Sequence, residues 1–450
     1  MPDRKFISRE DAEAIARRAL SFSTADDARV SLQSATHGNT RFARNQVSTA
    51  GDAYDATLAL TSAFGKKVAS ATTNRFDDAS LRAVVQTSER LARLVPEDPE
   101  YLGELGPQQY PESRAFFQST ADLTPEQRAS AVRAITEPAD RQGLISTGFL
   151  DIVVGSRAVA TKKGLFAYQT GTNVNLTTTV RTPDGTGSGW AGTGQNDWAK
   201  LNPGELAERA IRKAQLSRNP RAVEPGKWTV VLEPTAVANL VQLMVGAMDA
   251  RQADEGRSFF ARAGGGNKLG EKFLDQRINI STDPGNPDAP AAAFSGQGLP
   301  NRRMSWVENG TVANLVYSRF WAQRQGKQPT GFPDGFSMAG GSSSVEEMIR
   351  STERGLLVTR FWYIRPVDPR TILYTGLTRD GTFLIENGSI TSAVKNLRWN
   401  ESPVFMLNNV EMLGPAVRVS ANESGDADSA VVVPAVKAHD FTFTSLSDAV

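Results

Sequence analysis

DDASLRAVVQTSERLARLV, residues 77–95, is the strongest helix signal in the chain, and what flanks it decides the fold. Asp77 or Asp78 is placed to cap its first turn, where backbone N–H groups lack partners. Before it lie strand-like runs at 28–35, 40–48, 54–62 and 66–72, rich in alternating apolar residues. His37-Gly38-Asn39 reads as the turn between the first two. Residues 9–21 precede them as an amphipathic helix, with Ala12, Ile15, Ala16 and Ala19 on one face. After the helix comes an irregular stretch, 96–123, punctuated by Pro96, Pro99, Pro107 and Pro111.

The pattern then recurs. A helix is predicted over 124–140, starting at Thr124-Pro125-Glu126. Strand-like runs follow at 144–154, 157–162, 165–171 and 173–182, then a Gly-rich tip at 184–196. A helix over 203–217 closes the unit, with Pro203 near its first position. Helix, strand meander, helix therefore occurs twice. This predicts an α+β N-terminal domain over 1–225, pseudo-duplicated into halves of about 1–95 and 124–218, with an antiparallel sheet.

Pro220, Pro225 and Gly226 mark a boundary. Beyond it Lys227–Glu233 reads as a strand, and 234–251 as a helix with apolar Val237, Leu240, Val241, Met244 and Met248. From about 277 onward the pattern is short strands and turns, with hairpin signals at Asn309-Gly310 and Asn387-Gly388. One helix near 343–353, capped from Ser342 to Ser344, interrupts it. Residues 226–450 are expected to form a mainly β C-terminal domain.

Composition narrows the function. The 450 residues carry 50 basic and 49 acidic side chains, a net charge of +1 that gives no reason to expect nucleic acid. There is no cysteine, which removes disulfides, thiolate metal sites and cysteine nucleophiles together. The N-terminal residues carry charges where a signal peptide needs an apolar core, and no apolar run matches a membrane span. A cytoplasmic protein without a membrane partner is expected.

Gly187-Ser188-Gly189-Trp190-Ala191-Gly192 matches a dinucleotide-binding pattern in letters. It lacks the strand-to-helix setting such a loop needs, so a hairpin tip is the better reading. His37 and His439 are the only histidines, and neither has a second histidine at ligand spacing. Asp249, Asp254 and Glu255 read as a solvated helix end, with a carboxylate-only magnesium or calcium site as the alternative. Trp190, Trp198, Trp321 and Trp362 are candidates either for a groove or for core.

Several blocks, in order, resemble the TldD/PmbA peptidase family over nearly the whole chain. Thr40-Arg41-Phe42-Ala43-Arg44-Asn45-Gln46-Val47 is similar to its early strand block, and Gly256-Arg257-Ser258-Phe259 with Lys268-Leu269-Gly270-Glu271-Lys272 to a PmbA-like segment. Gly298–Arg303, Val307–Gly310, Arg354–Thr359 and Ile385–Ile390 resemble later blocks. The resemblance implies a helix after the boundary that, in catalytic members, carries H-E-x-x-x-H to hold zinc and a general base. Here Gln242 stands at the first histidine, Leu243 at the glutamate and Ala247 at the second histidine, and the late cysteine ligand is missing. Two departures stand out: Ser295-Gly296-Gln297 replaces acidic residues, and Phe441–Ser445 ends differently from well-known PmbA-like members.

A PmbA/TldE-like, metal-free member is thus expected, with no catalytic, metal or cofactor site of its own. The resemblance implies a heterodimer in which a TldD-like subunit holds zinc and this chain helps close a chamber around an unfolded peptide. An exposed strand edge of the C-terminal domain is the expected means of holding it. An autonomous enzyme with new chemistry and a structural homodimer remain as alternatives.

Overall fold

The computed structural model describes residues 5–420 and 430–447. The first unit runs α1 (Arg9–Ser21), β1 (Asp27–Ala43), β2 (Gln46–Phe64), β3 (Lys67–Thr73) and α2 (Asp78–Leu94). After the short α3 (Gln118–Ala121), the second runs α4 (Pro125–Arg141), β4 (Ile145–Thr161), β5 (Phe166–Arg181), β6 (Ser188–Gln195) and α5 (Pro203–Leu216). The six strands form one antiparallel sheet in the order β3-β2-β1-β4-β5-β6, so the duplicated meanders meet at β1 and β4.

Period-two alternation turns one face of this sheet to the helices. Val30, Leu32, Leu58 and Leu60 pack against Ile15 of α1 and Leu81 and Val84 of α2. Leu150, Ile152, Val174 and Leu176 do the same against Ile135 of α4 and Ile211 of α5. Asp77 caps α2, and Thr124 with Gln127 forms a capping box on α4.

The strands are longer than the sequence pattern suggested. His37-Gly38-Asn39 is not a turn but the middle of β1, paired on both sides. The turn is Arg44-Asn45, both at positive φ (51° and 61°), as a two-residue hairpin of this hand requires. Gly38 serves close approach instead: a Cβ there would lie 2.4 Å from Asp52 Oδ1 and 2.5 Å from Arg128 Nη1. The ion pair between Arg128 of α4 and Asp52 of β2 crosses the strand at that point, at 2.9 Å. Likewise 188–195 is strand β6, not tip; the turn is confined to the residues around Gly185.

The second region contains β7 (Gly226–Leu232), α6 (Pro234–Gly246), α7 (Ala250–Asp254), β8 (Ile280–Thr282), β9 (Met304–Glu308), β10 (Thr311–Val312), α8 (Arg319–Arg324) and β11 (Phe336–Met338). It continues with α9 (Val345–Arg350), β12 (Arg354–Asp368), β13 (Leu373–Glu386), β14 (Ser389–Ala393), β15 (Leu397–Glu401), α10 (Pro403–Asn408), β16 (Val410–Val419) and β17 (Val431–Leu446). Eleven strands join in one mixed sheet. Asn309-Gly310 and Asn387-Gly388 make the two predicted hairpins, and Ser344 caps α9.

The pairings of this sheet run in a closed circuit. β7 pairs β12 on one side and β17 on the other, and β17 returns through β15 and β13 to β12. Closure removes the edges only where these pairings overlap. Beyond Val358, β12 pairs only with β13 among the described residues, so the expected exposed edge of this region is found over Arg360–Asp368. A longer open edge lies in the first sheet, where β3 pairs only with Leu58–Phe64 and leaves Gln46–Thr57 of β2 without an outer neighbour among the described residues. No described helix is long and apolar enough to cross a membrane.

Candidate functional site

α6 is the helix on which the sequence placed the motif positions. Thr235–Val241, Met244 and Val245 are buried, and Val237, Leu240, Val241 and Met244 belong to the main core of the second region. The helix is therefore enclosed on most sides. Only its second half opens: Gln242, Leu243 and Ala247 are half-buried and Gly246 is exposed. Offsets of one, four and five residues place these four on one stripe. The structure thus brings the three motif positions together on the open side of the helix.

The stripe carries little chemistry. Leu243 and Ala247 pack against the core and have no donor atom. Gln242 contributes one neutral amide. Among the described residues no three His, Cys, Asp or Glu side chains gather as a metal-ligand set. The residues present do not fit a zinc ion, which needs three or four fixed N, S or O ligands.

The helix is shorter than the predicted 234–251. It ends with Ala247 as C-cap, and Met248 and Ala250 then exchange backbone hydrogen bonds with Val316. Asp249 starts α7 by accepting from the Gln252 N–H. Asp254 accepts from Asn267 Nδ2 and Trp321 Nε1, and Glu255 pairs with Arg251 and Arg257. Each carboxylate of the candidate cluster has a separate structural partner.

The other candidates separate as well. His37 points from β1 to the face of the first sheet away from the helices and lines a cavity of about 550 Å3. His439 is exposed on β17, with Nδ1 3.0 Å from Asp440 Oδ2. The Gly187–Gly192 run packs against α5, where a Cβ on Gly189 would lie 2.2 Å from the Ala210 carbonyl oxygen. It is a strand fitted to a helix, not a phosphate loop. Trp198 packs on the core of the second unit and Trp321 lies buried in α8. Trp190 and Trp362 do meet, but as two rings holding the Arg360 guanidinium, at 4.7 and 5.2 Å.

That arginine belongs to a junction between the two sheets that the sequence did not reveal. Arg360 of β12 pairs with Asp380 of β13 at 2.8 Å, with 9% and 4% of their side chains exposed. The Ser188 hydroxyl of β6 donates to Asp380 Oδ1 at 2.7 Å. Burial opposes the charge of Asp380, and Arg360, Ser188 and Arg379 outweigh it, holding the carboxyl below its usual range. A second buried pair links Lys213 of α5 to Glu233 at the start of α6; burial pushes the Lys213 amine down. The helix bearing the stripe is thereby tied to the first sheet.

Comparison with known proteins follows these divisions. Models of the PmbA/TldA metallopeptidase domain 1, central domain and C-terminal domain match residues 28–92, 119–218 and 225–445. The chain belongs to the PmbA/TldD metallopeptidase family. Its fold is similar to that of TldE from Thermococcus kodakarensis, with a TM-score of 0.84 at 17% identity over 96% of this chain and 99% of that one. A Thermotoga maritima chain proposed as a modulator of a DNA gyrase gives 0.82 at 18% identity, over 96% of this chain and all of that one. In sequence, an uncharacterised protein of Methanocaldococcus jannaschii is 25% identical over 59% of this chain and 60% of its own length. A zinc metalloprotease TldD homologue of Saccharolobus solfataricus is 22% identical over 46% of this chain and 47% of its own length. The matches thus span about half to three fifths of these relatives.

Proposed function

We propose that this chain is the non-catalytic partner subunit of a TldD-like zinc metallopeptidase heterodimer that degrades or processes unfolded peptides in the cytoplasm. One observation carries the reading: the open stripe of α6 presents Gln242, Leu243, Gly246 and Ala247. Peptide hydrolysis needs an activated water, because water at neutral pH is a poor nucleophile. Among the described residues no three His, Cys, Asp or Glu side chains gather as a metal-ligand set, and the stripe's own residues include no base. The two-region frame, similar to TldE over almost its full length, supports a role in binding and enclosure. Zinc and its chemistry belong to the partner, and this chain closes the chamber and holds substrate.

The test is a three-way assay of this chain, a TldD-like partner from the same cell, and their mixture, on an unfolded peptide. Activity is expected only when the partner is present, and it should rise in the mixture. Replacing the partner's motif glutamate by glutamine should abolish it, whereas Gln242→Ala should leave the chemistry intact. Metal analysis of this chain alone should find no stoichiometric zinc. Hydrolysis by this chain alone, or one zinc per chain surviving dialysis against a mild chelator, would overturn the reading and promote an autonomous enzyme.

A further inference from the structure

The outer edge of β2 carries a feature that the reading above does not use. Gln46 through Asp55 is exposed at every residue, although it is regular strand paired to β1. Every second residue there turns its N–H and C=O away from β1, toward an edge on which no described strand lies. Exposed edges are ordinarily blunted by lysine, proline or a bulge. The run QVSTAGDAYDAT, Gln46–Thr57, contains no Lys, Arg or Pro, and the only irregularity in its pairing with β1 lies near the hairpin tip, between Arg41 and Phe42.

A cavity flanks this edge on each face of the sheet. On the helix-covered face lies a mostly apolar one of about 990 Å3, reached by Tyr54 and lined by Phe6, Ile15, Phe76, Leu123 and Ile152. On the opposite face lies the 550 Å3 cavity, reached by Asp55 and lined by His37, Gln169, Thr170 and Asn173. A strand added to β2 sends alternate side chains to opposite faces. One parity would meet the apolar cavity, and the other the polar cavity.

Charge selects among occupants. Asp52 is already neutralised by Arg128. Asp55 makes no salt bridge among the described residues and is exposed. Arg157 also lines the polar cavity, but its guanidinium donates to the Phe294 carbonyl oxygen and lies 4.9 Å from that ring. An antiparallel second copy would offer Asp55 no basic partner, because the run Gln46–Thr57 carries no Lys or Arg.

We propose that the β2 edge, Gln46–Thr57, docks an extended peptide whose side chains alternate between apolar and basic, the apolar ones entering the helix-face cavity and the basic ones facing Asp55. This rests on the reading of the chain as a peptide-holding subunit and locates the hold on the first sheet. Main-chain hydrogen bonds supply affinity, and the two cavities supply preference.

The experiment is fluorescence anisotropy on the full chain with labelled peptides of about ten residues, alternating Val with Lys or Val with Glu. The Val/Lys probe should bind about tenfold more tightly than Val/Glu. Asp55→Lys should reverse that order, and Asp55→Asn should abolish the difference without affecting folding. Methylating the central amides of the probe should weaken binding about a hundredfold, because the probe then loses the N–H groups that would donate to the carbonyls of the edge. Unchanged preference in Asp55→Lys, or unchanged affinity of the methylated probe, would falsify the assignment. So would a dimer of this chain in light scattering that Asp55→Lys strengthens, or a TldD-like partner that expels the probe without cleaving it, since the edge would then be a subunit interface. The binding measurement uses neither partner nor hydrolysis. It can fail while the three-way assay succeeds, and the reverse.

Discussion

The two sheets solve the same problem in opposite ways. Strands β7, β12, β13, β15 and β17 close on one another, so that Val230, Val231 and Leu232 are paired on both sides. The first sheet stays open, and β2 runs from Gln46 to Thr57 with one side unpaired. Where the ring closes, the backbone hydrogen bonds on both sides of a strand are spent inside the fold, which suits a rigid frame. An open edge keeps donors and acceptors in reserve, which suits contact with another chain. The lesson is that strand content alone does not locate a binding surface; the pairing map does.

Amide hydrogen exchange offers the largest expected contrast. Amides of Val230, Val231 and Leu232 should exchange only through global opening, whereas outward-facing amides within Gln46–Thr57 should exchange several powers of ten faster. Equal protection would mean that the β2 edge is covered in solution.

The next effect concerns the seam between the sheets. Asp380→Ala would remove the carboxylate that pairs with the buried Arg360 between Trp190 and Trp362, and should cost about 3–5 kcal/mol in urea unfolding. The same pair predicts a pH dependence. The folded Asp380 carboxyl titrates below its unfolded value, so its stabilisation is present above the ordinary aspartate range and fades as pH falls through the folded value. Acid unfolding of the wild type should therefore include a component that is missing in Asp380→Asn.

A smaller effect is expected within the open sheet. Gly38→Ala places a methyl against Asp52 and Arg128, and should cost about 1–3 kcal/mol while leaving the second region's exchange pattern unchanged. The smallest belongs to the β1–β2 hairpin. Asn45→Ala puts a less tolerant residue at positive φ and should cost about 1 kcal/mol, read as a shift in the urea midpoint. It also gives up the Asn45 contacts to Ser146 and Leu144, so a larger loss would show that the side chain matters more than the turn.

Much of the frame was legible because the signals were local. Asp77, Thr124, Pro203 and Ser344 start the helices where capping chemistry places them, and Asn309-Gly310 and Asn387-Gly388 turn the chain as expected. The failures share a cause in long-range contact. His37-Gly38-Asn39 looks like a turn, yet Gly38 is there to make room for Arg128, ninety positions away in sequence. Gly189 looked like a loop residue until the α5 backbone was seen against it. The α6 stripe was legible through its resemblance to a known motif. The β2 edge was not, because an unpaired edge is defined by a neighbour that fails to arrive, and no local pattern records that. A run as free of Lys, Arg and Pro as Gln46–Thr57 was the one available hint.

The closed circuit also constrains how the molecule comes into being. Strand β17 pairs with β7, so Trp228 meets Phe441 across more than two hundred residues of intervening chain. During synthesis the first sheet has all its strands once Gln195 has emerged, and its two meanders are built from neighbouring segments. The ring has to wait for its last stave. Until residues 431–446 leave the ribosome, β7, β11, β15 and β16 all lack a neighbour they have in the finished fold. The region whose ring closes last thus carries more unpaired strands while it is being made than when it is finished.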